Sequence, residues 1–120
     1  MSNLTTFFPA AGFTTEFIGA SQSVTALKNI IYILANPQAV IITLPASPSD
    51  GDTIGIANNI DLNGGQAGNS LIAPGGVGNT GKIMGDSSDL LIDNASASFY
   101  LVFSSADAPN GSGWTILGAN

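Results

Sequence analysis

Apolar residues fall along this chain in short bursts separated by turn formers. Residues 29–35 read N-I-I-Y-I-L-A and residues 39–44 read A-V-I-I-T-L. Both runs are short, rich in β-branched side chains and bounded by turn residues, which predicts strands. Residues 53–57 alternate as T-I-G-I-A, and residues 70–73, 82–84 and 90–93 are shorter strand candidates. Residues 98–104 (S-F-Y-L-V-F-S) and 114–117 (W-T-I-L) close the series. No stretch sustains the i, i+3, i+4, i+7 apolar spacing of an amphipathic helix. About eight strands at roughly ten-residue spacing predict an all-β fold, a sandwich or jelly-roll-like barrel. Spacing alone does not give the order of the strands.

The connections agree. Residues 45–52, P-A-S-P-S-D-G-D, carry two prolines that fix φ and a glycine that permits positive φ. Residues 63–65, 74–76 and 110–113 are glycine-containing loops of the same kind, and the section 58–89 is the least periodic. Strand 98–104 has Phe99, Leu101 and Phe103 on one face and Tyr100 and Val102 on the other. A strand apolar on both faces belongs to the centre of a sandwich or to a subunit interface.

The first 20 residues stand apart, because Phe7, Phe8, Phe13 and Phe17 are four of the six phenylalanines in the chain. Residues 1–20 are therefore read as an N-terminal arm and residues 21–120 as a single β domain. Two readings of the rings stay open. They join the domain's own core through a first strand near Thr14–Ile18, or they anchor in a neighbouring subunit, where aromatic burial dominates interfaces.

Composition narrows the function. The 120 residues hold 2 Lys+Arg, 8 Asp+Glu, no His and no Cys, for a net charge of −6. That excludes zinc fingers, disulfide frameworks and His-dependent nucleophiles. Lys28 and Lys82 are too few to neutralise a run of phosphates, so neither nucleic acid nor an anionic membrane is an expected partner. The start, M-S-N-L, has no basic region and no long apolar run after it, unlike a signal peptide. Only 8% of residues are charged, against about 25% in ordinary domains. So little charge suits a protein that buries much of its surface against copies or partners.

Candidate chemistry is thin. Asp50 with Asp52, and Asp86 with Asp89, are the carboxylate pairs that hydrolysis of a glycoside would need. Asp beside Ser and Gly in a turn more often caps its own backbone. The oxygen-rich stretch 86–89 lacks the spacing of a calcium loop. In residues 76–82 the glycines and Lys82 match Walker A spacing, but Ile83 stands where a hydroxyl must hold magnesium, and no helix-forming sequence follows. No catalytic residue, cofactor or metal site is expected. Trp114 is read as a core or interface residue, with sugar stacking as the lesser alternative.

One stretch is recognisable. Residues 41–54, I-I-T-L-P-A-S-P-S-D-G-D-T-I, resemble the I-T-L-P-x-S-P-x-x-G-D segment of small virion β-modules in tailed bacteriophages. Lys82-Ile83-Met84-Gly85, then Ser88-Asp89-Leu90-Leu91-Ile92-Asp93, residues 97–103 and Trp114-Thr115-Ile116 are similar to the run that follows in those modules. The likeness is structural and carries no catalytic signature. Such modules occur in tail fibres, head fibres and capsid decoration proteins, typically as homotrimers. No heptad, collagen-like or other shaft repeat is visible in this chain. The resemblance therefore implies a homotrimeric capsid decoration (cement) protein on the outer capsid surface. Its partners would be its own copies and the major capsid protein, bound through the arm or the trimer base. Phe7, Phe8, Phe13, Phe17, Tyr100 and Trp114 are the candidate partner-interface residues. The alternative is a short fibre or tip protein that recognises a host surface glycan, with Trp114 or Tyr100 as the stacking ring.

Overall fold

The computed structural model describes residues 12–19, 23–35, 39–58, 71–73, 82–92, 98–105 and 113–118. Nine strands make up the described secondary structure: β1 (Thr14–Ile18), β2 (Ser23–Thr25), β3 (Ile30–Leu34), β4 (Ile41–Thr43), β5 (Thr53–Asn58), β6 (Leu71–Ala73), β7 (Leu90–Leu91), β8 (Ser98–Ser104) and β9 (Gly113–Leu117). The protein is all-β, as the apolar pattern predicts. The strands form a five-stranded sheet, β1-β3-β5-β8-β9, and a four-stranded sheet, β2-β4-β6-β7.

The order of the first six strands is not that of a jelly roll. Odd strands add to one sheet and even strands to the other, and every pair formed this way is parallel. Thr14 pairs with Ile30 and Ile30 with Ile54 in the larger sheet. Ser23 pairs with Ile41 and Ile41 with Leu71 in the smaller. The chain thus winds back and forth between two sheets like a flattened coil. Each parallel pair needs such a crossover, because a tight hairpin joins only antiparallel strands. The last three strands reverse this. β7 runs antiparallel to β6, β8 to β5 and β9 to β8.

Alternation along each strand sends one row of side chains inward. From the larger sheet come Ile18, Tyr32, Leu34, Ile54, Ile56, Phe99, Leu101, Phe103 and Trp114. Val40, Ile42, Leu44, Ile72 and Ile92 come from the smaller sheet and its flanks, and all belong to one buried cluster. Fully burying each such side chain contributes roughly 1.5–3 kcal/mol. This double-sided core is what holds two thin sheets together in a chain with few ion-pairing residues.

Thr14–Ile18 is the edge strand of the larger sheet, and Ile18 is in the core. One element differs from the sequence reading. Residues 82–84, expected as a strand, form instead the start of a tight hairpin. Ile83 N–H donates to Asp86 O, and Asp86 N–H to Ile83 O, both at 2.9 Å. Met84 and Gly85 both have positive φ, 52° and 82°, the backbone of a two-residue type I′ turn. The chain turns back at Met84–Gly85, so Ile83 makes only isolated bridges, to Asp86 and to Trp114.

Candidate functional site

The strand registers also fix the outward rows. Paired residues in adjacent strands share a face, so the outer face of the five-stranded sheet is set by Thr15 and Phe17, Ile31 and Ile33, Gly55 and Ala57, Tyr100 and Val102, Thr115 and Leu117. No charged residue lies among them. The outer face of the four-stranded sheet carries Ser23, Thr25, Ile41, Thr43, Ala73 and Leu91, again without charge. The described charges sit elsewhere. Lys28, Asp50, Asp52, Lys82, Asp86 and Asp89 are in turns and loops, and Glu16 is on the edge strand.

Gly55 shapes the larger face. A side chain there would meet Ile31 Cγ1 at 2.8 Å and Tyr100 Cε1 at 3.2 Å. The neighbours lean over the bare backbone, and a trough of about 370 Å³ opens beside them, lined by Ile31, Gly55, Ala57, Ser98, Tyr100 and Gly118. Phe13 reaches the same face and meets Tyr100 edge-on, with ring centroids 6.1 Å apart at 76°. Phe17 is 63% exposed on the outer row of β1.

The structure therefore gathers three of the predicted interface residues, Phe13, Phe17 and Tyr100, on one face. Phe7 and Phe8 lie outside the described residues, as does the glycine-rich loop 75–81. Trp114 is placed differently. It is 1% exposed and packs edge-on against Phe103, with centroids 5.4 Å apart at 63°. Neither ring face is open to a partner or a sugar, so Trp114 takes the core side of the core-or-interface alternative. Among the described residues its Nε1–H finds no acceptor. Ile31, Ile33 and Gly55 were not singled out from sequence. The signal was present in residues 30–34, I-I-Y-I-L, which are apolar on both faces just as residues 98–104 are.

Asp52 and Asp86 cap the backbone of their own turns. Asp52 Oδ2 accepts from Ser49 N–H at 2.8 Å, and Asp86 Oδ1 accepts from Ser88 N–H at 2.8 Å. The backbone and hydroxyl hydrogen bonds of Ser88 hold the Asp86 carboxyl below the usual carboxylate range. Asp50 Oδ1 accepts from Ser105 N–H at 3.0 Å and so ties the β4–β5 turn to the end of β8. Among the described residues no group of three or more acidic side chains gathers as a metal site.

Tyr32 is the buried titratable group of the core. Its phenol oxygen accepts from Leu27 N–H at 2.7 Å. Burial pushes the phenol above its ordinary pKa, against the lowering effect of that hydrogen bond. The unfolded phenol then ionises first as pH rises, so the folded state binds the proton more tightly above pH about 10. Stability is expected to be flat from about pH 6 to 9, where almost nothing in the chain titrates, and to fall above about 10. In Tyr32→Phe that alkaline fall should be smaller, at a cost of roughly 0.5–1.5 kcal/mol at neutral pH for the lost hydrogen bond. Thermal melts from neutral to alkaline pH check both statements, and an equally steep alkaline fall in the variant contradicts them.

No family model matches the chain, and no curated protein matches it.

Proposed function

We propose that the chain is a non-enzymatic virion structural protein, a homotrimeric decoration protein that binds and stabilises a bacteriophage capsid from outside. The observation that carries this reading is the distribution of charge: neither outer sheet face bears a charged side chain among the described residues. Burying an uncharged face costs no desolvation of ions, whereas burying ions is expensive. Exposed Ile41 and Leu91 on the smaller sheet, with Met84 on the nearby turn, supply apolar contact area of the kind that marks association surfaces. The phage-module resemblance of residues 41–54 and the later strands points the same way. Three copies docking together would also gain by multivalency, since each weak contact raises the effective concentration of the next.

The test is assembly. The purified protein should sediment as a trimer, rebind capsids stripped of it, and raise their heat resistance. A monomer that leaves heat resistance unchanged overturns the proposal. The alternative, a fibre or tip protein reading a surface glycan, keeps Tyr100 beside the trough as its stacking ring but loses Trp114. Glycan binding abolished by Tyr100→Ala would favour it.

A further inference from the structure

We infer that the outer face of the five-stranded sheet is the seat of the chain's own N-terminal segment, residues 1–11, with Phe7 and Phe8 lying over the trough at Gly55. The inference stands on the geometry of that face and holds whether or not the protein belongs to a virion.

Four observations carry it. The first is where the described chain begins. The ring of Phe13 is on this face, edge-on to Tyr100, and the described chain starts one residue earlier at Gly12, so the segment is tethered beside the face. The second is chemical match. Residues 1–11, M-S-N-L-T-T-F-F-P-A-A, carry no charged side chain, and the face carries none either. The third is shape. An apolar trough of about 370 Å³ opens beside Ile31 and Gly55, with one aromatic wall, Tyr100. Aromatic rings favour offset or edge-on contact with such a wall.

The fourth is size. Five strands about 4.8 Å apart and about five residues long give a face on the order of 400 Å². A standard protein interface buries about 800 Å² on each partner, so a second copy could not be held by this face alone. An extended segment of this length reaches at most about 35–40 Å and fits across it. A partner of the segment's own composition is already tethered next to the site, and the tether raises its local concentration.

The absence of native cysteine allows a direct test in the full chain. Thr6→Cys/Ser98→Cys places one thiol on the segment and one beside the trough, and leaves both phenylalanines in place. Thr6→Cys/Thr25→Cys places the second thiol on the outer face of the other sheet. With a short bis-maleimide, the first pair should cross-link within one chain at least about tenfold faster than the second, independent of protein concentration. Cross-links formed only between chains overturn the inference in favour of an arm exchanged between copies. Equal rates for the two pairs overturn it in favour of no seat. As a second readout, Phe7→Ser/Phe8→Ser should raise the fluorescence of a bound apolar dye several-fold by baring the face. Unchanged dye binding also overturns the inference. None of these outcomes depends on capsid binding, so this reading and the virion proposal fail separately.

Discussion

Trp114→Ala is expected to destabilise the fold by about 3–5 kcal/mol, the range for removing a large aromatic ring from a core. The ring is 1% exposed and meets Phe103 across the β8–β9 pair. Its backbone is held on the other side as well: Trp114 N–H donates to Lys82 O at 2.8 Å, and Met84 N–H donates to Trp114 O at 2.8 Å. The surrounding strands are therefore fixed on both sides and cannot collapse into the space the ring leaves. Since domains of this size have total stabilities of about 5–15 kcal/mol, the loss is a large share of the whole. Urea titration should show the midpoint falling with little change in slope. Trp114→Phe should cost less than half as much, because it keeps part of the packing and removes a buried N–H that has no described acceptor. An alanine variant as stable as the parent would place the ring outside the core.

Gly55→Val should cost about 1–3 kcal/mol by overpacking, despite the better strand propensity of valine. The added Cβ would sit 3.3 Å from Ile31 Cα as well as 2.8 Å from Ile31 Cγ1. Tyr100 can swing aside, but the β3 backbone cannot, since it is paired on both edges to β1 and β5. Gly55→Ala should cost less, because its single methyl adds only the Cβ contacts and alanine also restricts the unfolded chain. Thermal melts that rank parent, Ala and Val in falling order bear out the close approach. A valine variant more stable than the parent would mean that Ile31 gives way.

Much of the strand content was legible because two-residue alternation is a local signal. Residues 98–104 show it plainly, with Phe99, Leu101 and Phe103 inward, and β8 occupies that span. β2 was missed because Ser23-Val24-Thr25 offers a single apolar residue, Val24, too little for any period to show. The parallel winding was not legible at all. A strand that pairs with the next strand and one that pairs with the next but one have the same alternation and the same turn residues at their ends. The uncharged faces were half legible. Low charge could be counted from the sequence, but only the registers show that the few charges avoid both faces and gather in turns. Phe13 and Tyr100 are 87 positions apart in the chain, and no spacing rule brings them together.

The two edges of the five-stranded sheet carry a consequence for aggregation. An open edge is a template on which further strands of the same protein can add without limit. The β9 edge is blocked: the Lys82–Met84 backbone occupies the hydrogen-bonding groups of Trp114, and the Met84 sulfur accepts from Ile116 N–H at 3.4 Å. The β1 edge has no described strand beside it, and it is here that the N-terminal region places its one acid, Glu16, in register with Tyr32. A copy adding to that edge in the same register would bring a second Glu16 close to the first and strip water from both. Two carboxylates brought together and dehydrated repel, so the acid opposes stacking on the one edge of this sheet that the turn does not cover.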